Sequence, residues 1–302
     1  MWKFKANQKI AKIGKIEIGG QPGELPTVLI GTIFYSGQKI VSDYKKGIFD
    51  KRKARELLEN DERMSIETGN PRIIDVVGET SDALISYIDF VAENTESPFL
   101  MDSGSVTARI DALKHVEDVG LLDRAIYNSI DERSKEEEFE ALDECNIQNV
   151  VILDFSTKYL FPKDRLKLIT GTDNLLDKTL KSGVKNVLID TGTLDVPSTG
   201  WSSQAVWEVK DNIGYPAGCA PANSLFDWKK MKERISPTFE AAGSVVLSFP
   251  VVMGSDFLLY GPIKNATWVY HAVSVADAIV AYSAKIFGIK PKSKNHPLYK
   301  IF

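Results

Sequence analysis

One repeated pattern limits what this chain can fold into. An apolar run ends abruptly on a short polar residue, small residues follow, and a helical stretch comes next. Phe99-Leu100-Met101-Asp102-Ser103-Gly104-Ser105 shows it most clearly. Ala125-Ile126-Tyr127 ends on Asn128-Ser129, Val150 to Leu153 ends on Asp154, and Asn186 to Ile189 ends on Asp190-Thr191-Gly192. A parallel α/β barrel builds its site this way, each buried strand delivering one polar side chain to a shared mouth.

The other segments fit the same alternation. Residues 9–19 alternate around Ile10, Ile13, Ile16 and Ile18, which predicts a hairpin closed near Gly14-Lys15 and suited to plug the bottom of a barrel. Strands are expected at 27–35, 72–77, 98–101, 125–127, 150–153, 186–189, 215–219 and 256–260. Asp50 is placed to cap a helix at 51–68, which Gly69-Asn70-Pro71 stops. Further helices are expected at 81–94, 106–119, 135–145, 174–182, 199–213, 224–234, 239–253 and 267–287. Residues 155–171 read as a long loop with one helical turn. The tail, 296–302, is apolar at its end and is expected to dock on the body or on a second copy of the chain.

Strand and helix thus alternate eight times, which implies a parallel sheet. The expected fold class is α/β, a TIM (β/α)8 barrel with a short N-terminal hairpin, in a single domain over 1–302. With 43% apolar residues the chain can bury one large core. There is no dinucleotide fingerprint and no phosphate loop.

The net charge of −4 gives no reason to expect a nucleic-acid partner. The short basic clusters Lys45-Lys46, Lys51-Arg52-Lys53 and Lys229-Lys230 read as solvated helix faces. Two distant cysteines, Cys145 and Cys219, fit a reducing compartment. No apolar leader follows Met1, and the longest apolar run, 241–254, is too short to span a membrane. A cytoplasmic protein without membrane insertion is expected.

The strand ends favour some chemistries over others. No lysine ends a strand, which disfavours a Schiff base. His115, His271 and His296 are scattered, so no metal is expected. Carboxylates and amides suit a pterin: its N–C–NH2 edge donates two parallel N–H groups to a carboxylate, and its ring amide pairs both ways with an Asn. Asp102, Asn128 and Asp190 are the leading candidates, with Asp154, Glu79 and Asp75 beside them. The plainer alternative makes Asp102, Asn128, Asp154 and Asp190 helix caps, and puts Asp75 in a buried network between strand and helix. Cys219 reads as a small apolar filler, and Trp201, Trp207, Trp228 and Trp268 as packing groups.

With the strands placed, six stretches carry a resemblance: Gly19 to Gly23 (GGQPG), Pro26 to Tyr35 (PTVLIGTIFY), Lys46 to Asp50 (KGIFD), Glu67 to Pro71 (ETGNP), Ala125 to Ile130 (AIYNSI) and Asp256 to Pro262 (DFLLYGP). The chain resembles the pterin-binding barrels, and within them the family of the MtrH subunit of tetrahydromethanopterin S-methyltransferase and its stand-alone relatives. The resemblance runs essentially end to end. It implies methyl transfer between N5 of a tetrahydropterin (tetrahydrofolate or tetrahydromethanopterin) and the cobalt of a corrinoid, with the pterin held by Asp102, Asn128 and Asp190. The Asn that polarises N5 at strand seven in related corrinoid methyltransferases is displaced here. The chain reads Gly218-Cys219-Ala220-Pro221-Ala222-Asn223, so Asn223 is the catalytic candidate together with Asp190.

The cobalamin-carrier motif Asp-x-His-x-x-Gly fails at all three histidines, where Leu113, Val269 and Lys294 stand at the Asp position. A corrinoid protein is therefore the expected partner. Gly218 to Asn223 and the tail resemble the stand-alone members, which implies formation of methyl-tetrahydropterin from methylated or methoxylated substrates. Three alternatives stand beside this reading. One is a component of the tetrahydromethanopterin:coenzyme M methyltransferase complex. Another is a non-catalytic component that docks a corrinoid protein. The third is a dihydropteroate synthase-like condensation, disfavoured because strand seven lacks a Ser-Arg-Lys loop and strand eight an Arg-x-His. The resemblance also implies a homodimer.

Overall fold

The structure, a computed structural model, describes residues 3–171, 174–232 and 238–302. Strands β1 (Ile10–Ile13) and β2 (Ile16–Gly19) form the expected antiparallel hairpin. After β3 (Val28–Ile33) comes an unanticipated antiparallel ribbon, β4 (Val41–Asp43) with β5 (Ile48–Phe49). Then follow β6 (Arg72–Val77), β7 (Phe99–Asp102), β8 (Ala125–Ile130), β9 (Asn149–Leu153), β10 (Asn186–Asp190), β11 (Ala217–Cys219) and β12 (Phe257–Pro262). β3 and β6 to β12 pair in parallel, in chain order, and β12 closes on β3. The chain is a TIM barrel with an N-terminal hairpin.

Side chains alternate along a strand with a period of two, so each strand sends every second residue into the barrel. Val28, Ile30, Ile73, Leu100, Ile126, Val151, Leu188 and Phe257 form one buried cluster with Ala11, Ile13 and Ile18 of the hairpin. The hairpin thus plugs the bottom. Two residues further along five of these strands the inward positions become Thr32, Asp75, Asp102, Asn128 and Asp190. The polar layer therefore sits directly above an apolar floor, at the C-terminal ends of the strands. Outward residues such as Ile33, Val76, Met101, Tyr127, Ile152 and Ile189 pack instead under the helices.

Local chemistry sets the helix ends. Asp50 caps the helix Lys51–Thr68 by accepting from the Lys53 N–H, and Gly69 ends it in the left-handed conformation. Thr80 and Ser105 cap the helices Ser81–Asn94 and Val106–Asp118 in the same way.

Several expectations need correcting. The loop expected at 155–171 contains a nine-residue helix, Pro162–Thr170, begun by a proline at its first turn. Its buried residues are Arg165, Leu168 and Ile169. Lys163, Asp164 and Lys167 disguised that short stripe. The helix expected at 224–234 starts earlier, at Pro221, and breaks at Trp228 into Pro221–Asp227 and a turn, Lys229–Lys232. Arg234 lies outside the described residues. Lys45 and Lys46 lie in the turn joining β4 and β5, not on a helix. The closing helix runs Ala266–Ala284 and tightens into a 3-10 turn, Lys285–Phe287. The tail forms a short helix, Pro297–Lys300, that docks on the body against helices Ala266–Ala284 and Lys51–Thr68, with His296 and Pro297 buried. Among the described residues, no helix is long and apolar enough to cross a membrane.

Candidate active site

Four of the candidate residues share the mouth. Asp102 and Asn128 are register partners on β7 and β8. Asp75 enters from β6 and Asp190 from β10. Asp75 is almost fully buried, and its Oδ2 accepts from Thr32 Oγ1 at 2.7 Å. Burial, and then the charge of Asp102, push its carboxyl well above the usual range. Burial also pushes Asp102 up, to about 6, against the charge of Arg109 and hydrogen bonds with Asp75 and Asn128. The proximity of the two carboxyls raises Asp75 and lowers Asp102, so of the pair Asp75 holds its proton to the higher pH.

Asp190 is also raised to about 6. Burial raises it, the Gly192 N–H and the Arg165 charge oppose, and Asp102 adds to the rise. The Gly192 N–H donates to Asp190 Oδ1 at 2.7 Å. The mouth therefore presents three carboxyl groups, all raised above the usual range with Asp75 the most reluctant to ionise of its pair, and one amide. That set fits a flat, nitrogen-rich ring bearing adjacent N–H donors.

The capping alternative does not hold for the core set. Ser105, not Asp102, caps the helix after β7, accepting from the Ala108 N–H at 3.2 Å. Lys135 precedes the helix after β8, and Ser198 the one after β10. Asp102, Asn128 and Asp190 face inward at the C-terminal ends of their strands.

The other three candidates are placed differently. Asp154 is fully buried, and neither of its carboxylate oxygens has a hydrogen-bond partner among the described residues. Its backbone N–H donates to Asp190 O at 2.7 Å, so it follows β9 closely beside the end of β10. Burial pushes it well above the usual carboxylate range, opposed by Arg165 and reinforced by Asp190. Glu79 is exposed beyond β6, with its charge felt by Tyr87 rather than by the mouth aspartates. Asn223 is exposed on the short helix after β11, with no side-chain hydrogen bond among the described residues. Cys219 is packed among apolar residues, as expected of a filler. Trp201 packs on Phe161, Trp207 on Phe4 and Trp268 on Phe239.

Two arginines behind the mouth escaped the sequence reading, as did Thr32. Arg109, on helix Val106–Asp118, donates from Nη1 to Ser103 O at 2.6 Å and from Nη2 to Glu138 Oε1 at 2.6 Å. Tyr127 Oη donates to the same Glu138 oxygen at 2.6 Å. Arg165, on helix Pro162–Thr170, is fully buried; its Nη1 donates to the carbonyls of Thr191 and Gly192. The one signal in the sequence was an arginine placed on the apolar face of each helix. The loop after β10 and the short helix after β11 line a cavity of about 590 Å3 formed by Leu194, Val196, Pro197, Ser224, Asp227 and Trp228 among others.

Residues 6–292 match the family described as tetrahydromethanopterin S-methyltransferase MtrH subunit. The chain is 36% identical over 311 residues to the H subunit of tetrahydromethanopterin S-methyltransferase from Methanopyrus kandleri, with 96% of each chain covered. It is 36% identical over 313 residues to the protein of that name from Methanothermobacter thermautotrophicus, with 100% of each covered. Its fold is similar to that of a dihydropteroate synthase from Coxiella burnetii in complex with pteroic acid, with a TM-score of 0.62 and 12% identity over 90% of this chain and 99% of that one. At that identity the likeness shows the shared barrel alone.

Proposed function

The chain belongs to the MtrH family of methyltransferases, and from that premise we propose that its mouth binds a tetrahydropterin for methyl transfer at N5. The observation that carries the reading is the inward layer of Asp102, Asn128 and Asp190, two residues above the apolar floor. The name borne by the relatives favours tetrahydromethanopterin as the carrier and a role within an S-methyltransferase assembly. That role, an alternative on sequence grounds, now stands ahead of a stand-alone tetrahydrofolate enzyme.

The residues divide the work by charge. Asp190 and Asp102, largely ionised, accept the paired N–H groups of the pterin edge. Asn128 donates to and accepts from the ring amide. Asp75, anchored on Thr32, holds its proton to higher pH than Asp102, which favours the charge on Asp102. Nitrogen N5 is a poor leaving group and needs a hydrogen bond as charge changes on it. Asn223, beyond the end of β11, is assigned that hydrogen bond, with Asp190 behind it. The cavity after β10 and β11 accommodates the substituent on the pterin ring. A corrinoid on a partner protein supplies the cobalt that exchanges methyl with N5. The rest of the catalysis is alignment.

The test is methyl exchange between methyl-tetrahydromethanopterin and a purified corrinoid protein, with and without the chain. Exchange that depends on the chain and fails in Asp190→Ala supports the reading. Pterin binding without exchange leaves a non-catalytic docking component as the better description.

A further inference from the structure

We propose that Arg109 and Arg165 are positioning residues, each clamping the backbone just after one mouth aspartate from the outside of the barrel. The inference rests on the pterin-site reading above. The two are built alike. Asp102 is followed by Ser103, whose carbonyl accepts from Arg109 at 2.6 Å. Asp190 is followed by Thr191 and Gly192, whose carbonyls both accept from Arg165. Each arginine comes from a helix packed on the barrel, and each supplies the cationic influence on its aspartate.

At Asp190 the clamp reaches the carboxylate through one residue. Arg165 and Ser202 Oγ hold the Gly192 carbonyl, and the Gly192 N–H donates to Asp190 Oδ1. Thr191 Oγ1 donates to the Ser202 carbonyl at 2.9 Å, so the turn is fixed on both sides. Arg165 is itself fixed by a bond from Nε to Leu160 O at 3.2 Å. Its Nη2 and both Asp154 oxygens have no hydrogen-bond partner among the described residues. Nη1 on the Thr191 and Gly192 carbonyls and Nε on Leu160 O tie one rigid guanidinium to two segments at once, which a single ammonium nitrogen does not reproduce.

The clamp also sets charge. Asp190 is acted on by Arg165 and Asp102 and itself acts on Asp154 and Cys219, and in this set only Arg165 is cationic. The groups acting on Asp102 are Arg109, Asp75, Asn128 and Asp190, with Glu138 and Tyr127 behind Arg109. Removing either guanidinium leaves a buried carboxylate without its opposing charge, and its proton is then held to higher pH.

The experiment is calorimetric titration of the full chain with tetrahydromethanopterin from pH 5.5 to 8, in wild type, Arg165→Gln, Arg165→Lys and Arg109→Gln. In Arg165→Gln the acid limb of the affinity profile moves up by about one pH unit, so the loss is about fivefold larger at pH 6 than at pH 8. Arg165→Lys keeps the limb, because the charge stays, but loses affinity at every pH, because the second anchor, Nε on Leu160 O, is gone. If Arg165→Gln fails to fold by its thermal melt, Arg109→Gln carries the same test at Asp102. Wild-type affinity and limb in both Gln variants, or equal loss at every pH, overturn the proposal. A wild type that binds no pterin sinks the site reading instead. The clamp is then judged by carboxyl 13C titration of Asp190, its resonance assigned by loss in Asp190→Asn: an unchanged midpoint in Arg165→Gln overturns it.

Discussion

Thr32 Oγ1 donates to Asp75 Oδ2 at 2.7 Å across neighbouring strands whose residues 32 and 75 are register partners. The bond holds Asp75 in place at the mouth beside Asp102. Because burial pushes the Asp75 carboxyl well above the usual range, Asp75→Asn preserves its shape and mimics its protonated form. Pterin affinity in Asp75→Asn should stay within about threefold of wild type, whereas Asp75→Ala, which removes the Thr32-anchored neighbour of Asp102, should lose about tenfold. Calorimetry on the two variants checks this, and equal loss in both contradicts it.

At the opposite end of the barrel, Lys210 Nζ donates to both oxygens of Asp256, at 2.7 and 2.6 Å, and to Gly20 O at 2.8 Å. Lys210 is fully buried, and Asp256 Oδ2 also accepts from the Ala217 N–H at 2.9 Å. The ion pair ties the loop after the hairpin to the floor. Lys210→Met leaves an uncompensated buried carboxylate and should cost about 3–5 kcal/mol in urea unfolding. Removing both charges, as in Lys210→Met with Asp256→Asn, should recover part of that. A cost in Lys210→Met below about 1 kcal/mol contradicts the assignment.

Asp277, on the closing helix, accepts from the Thr27 N–H at 3.0 Å, Thr27 Oγ1 at 2.8 Å and Asn70 Nδ2 at 2.5 Å. Burial still pushes its carboxyl up to about 7, these bonds notwithstanding. The folded chain therefore holds this proton where the unfolded chain has lost it. Its contribution to stability is full below about pH 4 and declines as pH rises to about 7, by roughly 1.4 kcal/mol per unit. Unfolding of wild type and Asp277→Asn across that range should show the stability of wild type, relative to the variant, falling as pH rises. Parallel curves contradict the prediction.

The barrel was legible because its strands carry the pattern twice. Leu100 and Ile126 mark the floor, and Asp102 and Asn128 follow them on the same face. What lies behind that face was not legible. Arg165 sits on a nine-residue helix whose apolar stripe is short and flanked by charges, so periodicity did not distinguish it from a loop. Asp154 follows β9 beside the end of β10, fully buried and under the influence of Arg165, an environment that its place after a strand did not reveal. Glu79 and Asn223 stand past the ends of β6 and β11, far enough for local chain direction to decide where they point. Alternation reveals which strand residues face inward, but it carries no information on where a loop turns. The inward residues were therefore found together and the loop residues were not.

Asp102, Asn128 and Asp190 as a tetrahydropterin site face one decisive titration: calorimetry of the purified chain with tetrahydromethanopterin and, separately, tetrahydrofolate, repeated on Asp190→Ala. Saturable binding to one site is expected, tighter for tetrahydromethanopterin. It should weaken at least about tenfold in Asp190→Ala, as the loss of a charged hydrogen bond of about 1.5–3 kcal/mol requires. Absence of binding to either pterin, or a variant that binds as wild type does, contradicts the assignment.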